Sequence, residues 1–471
     1  MRAWLDKRFA LAEHGTTVRT ELIAGLTTFM AMAYILMVNP GMFSDLGTVS
    51  FGAIYIATAL SAVIGTVLIG LLANLPLAQA SGMGLNAFFV YTVCFGLGFS
   101  YANALVFVLL DGIIFVILTV TGLRKILFEA IPKRVKLLIP AGIGLFIAFI
   151  GFQDAGIVVA DSATKVTIAS FNVLGGATWA TIMPMLVTIA TVIAIAVLSK
   201  KRVKGAVLIG ILGGTALYYL LGLTVKGFYD SLTISTLNPF AAFKDFGQLA
   251  FGKVFTEGFN FSAYLENHSV MSLIVTFITT SLAFCVVDMF DTMGTLYGAC
   301  RGGNLLVNDA EGNPAVPNMD KAMLADALAT CTGAVCGTST VTTYVEASAG
   351  VAAGGRTGLA ALATGALFLV ALFLSPIAQL VPAAAYAAAL IYVGLLMMGC
   401  TKDIDWSDPA VALPSFLTIT VMPFTYNISY GIAFGLISYL FIKLFTGKIK
   451  EVKIGTWVIT ALFILMFLFT H

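Results

Sequence analysis

The sequence predicts an all-α, polytopic membrane protein of about fourteen spans arranged as two inverted repeats of seven. Three observations carry that prediction. Of 471 residues, 59% are hydrophobic and only 10% charged, with a mean hydropathy of +1.00. A water-soluble chain carries roughly a quarter charged residues, because its surface needs polar cover. The apolar residues fall in runs near the ~20 residues a helix needs to cross a bilayer core, separated by short polar breaks. Finally, the basic residues alternate in a way that only a particular threading explains.

The first twenty residues are polar and charged (Arg2, Asp6, Lys7, Arg8, Glu13, Arg19). The apolar run that follows is too long for a signal-peptide core, so it is expected to be a true span. Spans are predicted at about 19–43, 51–75, 78–97, 100–121, 134–153, 177–199, 203–224, 268–299, 319–336, 338–353, 357–379, 381–401, 408–425 and 428–446. A further apolar run, 455–470, is short, and hydropathy does not decide whether it spans, lies at the interface or packs on the bundle.

With the N-terminus inside and each span flipping the side, all of the 25 basic residues except Lys165, Lys226, Lys244 and Lys253 fall on one face. Loops retained in the cytoplasm carry such an excess. The expectation is a cytoplasmic (inner) membrane protein with a cytoplasmic N-terminus.

The polar stretch 225–267 divides the chain, with seven spans on either side. An odd number per half inverts the second half relative to the first, an arrangement used by transporters. The third run of each half breaks helical rules. One is Pro76-Leu-Ala-Gln-Ala-Ser-Gly-Met-Gly-Leu-Asn-Ala-Phe-Phe89; the other is Gly337-Thr-Ser-Thr-Val-Thr-Thr-Tyr-Val-Glu-Ala-Ser-Ala-Gly350. Both are short and rich in Gly, Ser and Thr, and Thr-Val-Thr-Thr-Tyr-Val favours extended backbone. Extended backbone at membrane depth survives only inside protein or beside a cavity. A short strand followed by a half-helix is therefore expected in spans 3 and 10, with the two half-helix N-termini meeting near the midplane. Two tightly packed helices with small residues at their contact are the other reading.

Intramembrane carboxylates are costly and point to function. Asp288 and Asp291 sit three residues apart in span 8 with Thr292 and Thr295 beside them, on one helix face. Glu346 lies in the second broken segment near the half-helix start, where the helix dipole favours an acid. A carboxylate there can accept N–H groups of a planar heterocycle and can take up a proton, or it can simply cap the helix. Asn86 offers both donor and acceptor, and Phe88 can stack on a ring or pack. Gly84 and Val345 flank these positions. Asp111 in span 4 and Asp326 in span 9 suit a helix-tying role better than a proton path. A midplane of acids without Arg or Lys argues against an inorganic anion and for a neutral or cationic solute, or one bearing N–H donors. Six cysteines without a CxxC pair and three histidines give no zinc or disulfide framework. No cofactor or metal is expected beyond a coupling proton or cation, and no nucleophile–base constellation suggests an enzyme.

Three motifs resemble those of the AzgA-like purine permeases, a branch of the nucleobase–cation symporter 2 (xanthine/uracil permease) family. They are Ala80-Ser-Gly-Met-Gly-Leu-Asn-Ala-Phe-Phe, Asp288-Met-Phe-Asp-Thr-Met-Gly-Thr-Leu, and the run from Thr338 to Leu359. The opening Arg19-Thr-Glu-Leu-Ile-Ala-Gly-Leu-Thr-Thr-Phe-Met-Ala-Met-Ala-Tyr-Ile also matches, and the resemblance runs from about 14 to 450. Ser81, where the branch often has proline, and the order Ala347-Ser348 are mild departures.

The resemblance implies a cytoplasmic N-terminus (1–18), a core domain of spans 1–4 and 8–11 (19–121 and 268–379) and a gate domain of spans 5–7 and 12–14 (134–224 and 381–446). An extracytoplasmic connector (225–267) and a C-terminal segment with a short helix (447–471) complete it. It implies proton symport of hypoxanthine, guanine or adenine by alternating access. Asp288 and Glu346 would bind substrate, with Gly84 and Asn86 as span-three determinants and Asp291 as a second important acid. Phe88, Thr292 and Val345 are candidate substrate contacts, and Glu346, Asp288 and Asp291 are candidates for the coupling proton. The expected partners are a purine nucleobase and the lipid bilayer, with homodimerisation possible through the gate and no nucleic acid. A uracil or xanthine symporter of the same family, or an anion carrier or channel of the same architecture, is the alternative.

Overall fold

The computed structural model describes residues 6, 8–122, 132–228, 239–302, 305–308 and 314–470. Arg2, Lys7, Arg124 and Lys125, the side chains of Lys133, Arg134 and Lys136, residues 229–238 of the connector and residue 471 of the C-terminal segment lie outside what is described. Among the described residues, eight helices are long and apolar enough to cross a membrane: Val18–Ser44, Phe51–Leu72, Tyr101–Thr121, Trp179–Lys200, Val270–Arg301, Gly358–Ala378, Ala383–Lys402 and Ile428–Phe445. These are spans 1, 2, 4, 6, 8, 11, 12 and 14. The shorter apolar helices Met83–Gly96, Leu138–Asp154, Ala206–Gly222 and Pro409–Thr425 supply spans 3, 5, 7 and 13. Met319–Cys336 is span 9, and the broken segment that ends at Ala352 is span 10. The order and bounds match the hydropathy reading closely.

Short polar side chains start many of these helices. Ser50 accepts the amide of Ala53, Thr357 that of Leu359, and Asn427 that of Tyr430. Ser100 and Asn103 form a reciprocal capping box before span 4. Glu21, buried in the first turn of span 1, accepts the amides of Arg356, Thr357 and Ala360. One carboxylate thereby satisfies the otherwise open N-terminus of span 11. Span 1 is not continuous: it divides into Val18–Met32 and Ile35–Ser44, with Tyr34 at the break.

The broken spans form the predicted strands. Strand β1 (Gln79–Ser81) pairs antiparallel with β6 (Val341–Thr343), with Gln79 opposite Thr343 and Ser81 opposite Val341. Every residue of both strands is buried. Two threonines complete the backbone pairing at equivalent places in the two halves. Thr66 of span 2 donates to the carbonyl of Gln79 and accepts its amide, both at 3.0 Å. Thr330 of span 9 does the same for Val341, at 3.1 and 3.3 Å. Spans 2 and 9 are partners under the inverted repeat.

Spans 1, 2, 4, 8, 9 and 11 pack on one another around the strand pair, and spans 5, 6, 7, 12, 13 and 14 pack on one another beside them. Contacts between the two groups include span 12 on Ile35–Ser44, span 5 on Met83–Ala87 and on span 8, and span 7 on Val18–Met32. The helix Ile454–Thr470 packs on span 8 and span 14, so it touches both groups.

The described part of the connector holds four short helical pieces, Pro239–Asp245, Phe246–Ala250, Lys253–Thr256 and Ser262–Leu265. It is tied down by Ser50 donating to Asp245 (2.8 Å) and Asn103 donating to the carbonyls of Gly258 (2.7 Å) and Asn260 (2.9 Å). Two small sheets were not anticipated. One is the hairpin β2 (Val158–Asp161) with β3 (Lys165–Ile168), whose turn is closed by Asp161 accepting the amides of Ala163 and Thr164. The other pairs β4 (Val307–Asn308) with β5 (Pro314–Ala315).

Candidate functional site

The strand pair sets two short helices at one place. After β1 the chain enters Met83–Ala87, which continues as a π-helix, Phe88–Gly96. After β6 it enters a 3₁₀ turn, Val345–Ala347, and then Ser348–Ala352. Both helix starts open on a cavity of about 940 Å³. That volume lies at the upper end of the range for small-molecule sites.

Gly82, Gly84, Thr342, Thr343, Tyr344, Val345 and Glu346 form the wall from the two broken spans, with Tyr34 from span 1 and Asp291 and Thr295 from span 8. Pro140 of span 5 and Val393 and Met397 of span 12 form the opposite wall. The cavity therefore lies between the two helical groups. Glycine is required where the groups meet: a Cβ on Gly84 would stand 2.4 Å from Cγ2 of Ile143 in span 5.

The walls are mostly apolar, and among the described residues the charged side chains on them are Asp291 and Glu346. Tyr34 donates its phenol hydrogen to Oε1 of Glu346 at 2.6 Å. Tyr344 donates to the carbonyl of Ser81, which locks the end of β6 to the end of β1. Two carboxyls on one poorly solvated wall cannot both ionise cheaply.

The predicted site residues divide cleanly. Glu346, Asp291, Gly84 and Val345 line the cavity, and Val345 is 44% exposed into it. Asp288, Thr292, Asn86 and Phe88 lie behind the wall, each 0% exposed. Residues three apart on a helix differ by about 60° around its axis. That offset turns Asp291 to the cavity and Asp288 inward, toward Asp111 of span 4 and Asp326 of span 9. Asn86 accepts a hydrogen bond from Ser339 and so ties span 3 to the approach of β6. Phe88 packs on Phe284, ring centroids 4.9 Å apart. Thr292 bonds Asp326 at 2.9 Å and Thr342 at 2.6 Å.

Tyr34 is a polar wall residue that sequence reasoning missed. It stands in the quoted span-1 motif, but its partner Glu346 is 312 residues away, and only its polar atom inside an apolar run marked it.

The end of the cavity near Tyr297, Val316 and Cys400 reaches the ends of spans 8 and 12 and the start of span 9. The opposite end is shut by contacts between the two groups. Within one group Tyr91 donates to Asp45 at 2.6 Å, and across the boundary Thr92 donates to the carbonyl of Tyr426 at 2.7 Å. The Tyr91 and Tyr426 rings meet edge to face at 5.8 Å. The Tyr386 ring sits so close to Gly41 that a Cβ there would be 2.8 Å away. Phe146 and Phe149 of span 5 pack on Tyr426 at 5.4 and 5.7 Å.

The family model for xanthine/uracil permeases, described as "Permease family", matches residues 19–434. The chain is 40% identical over 469 residues to the guanine/hypoxanthine permease PbuG of Bacillus subtilis, covering 98% of this chain and 99% of the relative. It is 36% identical over 465 residues to the adenine permease AdeP of Escherichia coli K12, covering 99% and 96%. Among solved structures it resembles the transmembrane domain of the cyanobacterial bicarbonate transporter BicA, with TM-score 0.57 and 16% identity over 90% of this chain and 97% of that one. It also resembles SLC26A9, with TM-score 0.59 and 12% identity over 91% of this chain and 66% of that one. At these identities the two structural likenesses are of fold.

Proposed function

Because the chain belongs to the xanthine/uracil permease family, a family of permeases and not enzymes, we propose that it carries purine nucleobases across the cytoplasmic membrane in symport with a proton, by alternating access. The carrying observation is the pair of acids, Glu346 and Asp291, on one wall of an otherwise apolar cavity, with Tyr34 bound to one oxygen of Glu346. A purine presents ring and exocyclic N–H donors on one edge and apolar faces on either side. Glu346 accepts those donors through the oxygen that Tyr34 leaves open, and Val345, Val393 and Met397 cover the faces. Full-length similarity to guanine/hypoxanthine and adenine permeases supports the purine class.

The two packed groups of helices serve as core (19–121 and 268–379) and gate (134–224 and 381–446). The cavity lies at their boundary, and movement of the core against the gate carries the site across the membrane. With the N-terminus in the cytoplasm, as the basic residues favour, the open end of the cavity faces the cytoplasm and the Tyr91–Asp45 end faces outward. The anion-carrier reading loses support from the wall itself, since two acids and no cation oppose an anion.

The test is uptake of radiolabelled hypoxanthine, guanine and adenine by cells lacking their own purine carriers. Uptake competed by unlabelled purines and abolished by an uncoupler is expected. Uptake indifferent to the uncoupler removes the proton, and competition only by uracil or xanthine moves the substrate within the family.

A further inference from the structure

Behind the cavity wall, three carboxyls are enclosed among the helices. Asp111, Asp288 and Asp326 are each 0% exposed. Asp326 is well held: Oδ2 accepts from Thr292 at 2.9 Å and Oδ1 from Gln79 at 3.1 Å. The four carboxyl oxygens of Asp111 and Asp288 have no donor of that kind. Asp111 instead lies beside the Cys285 thiol and the Asp288 carboxyl, so the two carboxyls are neighbours. Two ionised carboxylates have no hydrogen to share, so the contact is a hydrogen bond only when one of them carries a proton.

Among the described residues, the ionisable groups that face this pair offer no cation. Span 8 contributes Cys285 and Asp291, and span 9 contributes Asp326 and Cys331. An unpaired buried charge costs several kcal/mol, and two adjacent like charges cost more. An O–H···O⁻ bond between Asp111 and Asp288 is the arrangement that removes one charge and satisfies the other.

Asp326, which faces the pair, is hydrogen-bonded to the substrate wall. Thr292 bridges Asp326 to Thr342, and Gln79 bridges Asp326 to Thr343 at 3.2 Å; Thr342 and Thr343 both line the cavity.

We propose that Asp111 and Asp288 form a proton-holding site, in which the coupling proton is carried behind the purine cavity and not on its wall. The inference rests on the proton-symport reading above. With one proton the pair bears one negative charge. With the cavity open to the outside a proton from cavity water is passed on to a carboxylate oxygen of the pair, which becomes neutral; with the cavity open to the cytoplasm the same proton returns to cavity water. Loss of that negative charge eases ionisation of Glu346 and Asp291, so proton uptake tightens purine binding.

The test compares wild type with Asp111→Asn, using the purified full-length protein and hypoxanthine as probe. Wild-type affinity should weaken by about tenfold as pH rises through the titration of the pair, a coupling of ordinary size. Asp111→Asn should still bind hypoxanthine and exchange it in counterflow, with an affinity flat in pH to within about twofold and pH-gradient-driven accumulation reduced about tenfold or more. A merely structural tie between spans 4 and 8 would lower the melting temperature and leave the pH profile unchanged, and that result overturns the proposal. Should Asp111→Asn not fold, infrared spectra of wild type and Cys285→Ala decide. A protonated-carboxyl carbonyl band at neutral pH that moves when the thiol beside Asp111 is removed supports the pair, and its absence contradicts it. Failure of wild type to bind any purine would instead reject the substrate reading, and the infrared band would still judge the pair.

Discussion

The phenol of Tyr34 donates to Oε1 of Glu346 at 2.6 Å, joining the break in span 1 to the turn that follows β6. The bond orients one carboxylate on the cavity wall across the boundary between two broken spans. A helix break in span 1 and a strand in span 10 are thereby coupled by a single polar contact.

Tyr34→Phe removes that donor and leaves the wall otherwise intact. A hydrogen bond to a charged group contributes about 1.5–3 kcal/mol, so KM for purine should rise on the order of tenfold or more, with kcat changed less. Uptake kinetics across a concentration series checks this, and an unchanged KM would show that Tyr34 does not position Glu346.

Gly84→Ala forces a Cβ to within 2.4 Å of Ile143 Cγ2. Isoleucine is stiff at χ1 and cannot swing away freely. Because the contact joins span 3 to span 5, the substitution should slow transport more than it weakens binding. Gly84→Ala combined with Ile143→Ala should recover much of the rate. Counterflow rates of wild type, the two single variants and the double variant measure that recovery.

Thr66 and Thr330 should behave alike, since each holds one strand of the pair from equivalent spans. Valine at either position keeps the shape and strips two hydrogen bonds from backbone buried at membrane depth. Each unsatisfied group costs about 1–3 kcal/mol. A lower melting temperature is expected for both valine variants, and serine should restore most of it.

Asp45, just beyond the end of span 1, is pushed up from the ordinary carboxylate range by burial, with the Tyr91 hydrogen bond working in the opposite direction. Tyr91, Asp154, Tyr386 and Tyr426 are the ionisable groups that face it. A carboxyl whose proton affinity is higher in the closed arrangement favours closure as pH falls and releases it as pH rises through that raised value. Tyr91→Phe unties the part of span 3 that carries the Thr92 and ring contacts to Tyr426, and should open this end more often. Labelling of Cys94, with the other five cysteines replaced, by a membrane-impermeant maleimide should then speed up, and should slow again at acid pH.

Much of this fold was legible because lipid leaves few choices. The Gly-, Ser- and Thr-rich runs at 76–89 and 337–350 could not be ordinary spans, and they are the two strands with their half-helices. Glu346 and Asp291 were legible as costly charges in apolar sequence. What was hidden is what depends on rotation and on distant pairing. Asp288 and Asp291 read as one face, but a turn of about 60° separates a cavity wall from a sealed interior. Asp111 reads from sequence as a helix-tying residue, and the carboxyl beside it, Asp288, belongs to another span. The hairpin at 158–168 did carry a signal, the β-branched residues of Val-Val-Ala-Asp and Lys-Val-Thr-Ile about a turn, but its short strands stand outside any apolar span.

The most direct measurement is equilibrium binding of radiolabelled hypoxanthine, guanine and adenine to purified wild type and Glu346→Gln. Glutamine keeps the size of the side chain and can still meet Tyr34, but it presents no carboxylate to purine N–H groups. The account predicts saturable binding of at least one purine by wild type and a loss of about 10- to 100-fold in affinity for Glu346→Gln, the worth of a hydrogen bond to a charged acceptor. Full affinity in Glu346→Gln, with wild-type binding intact, would contradict it.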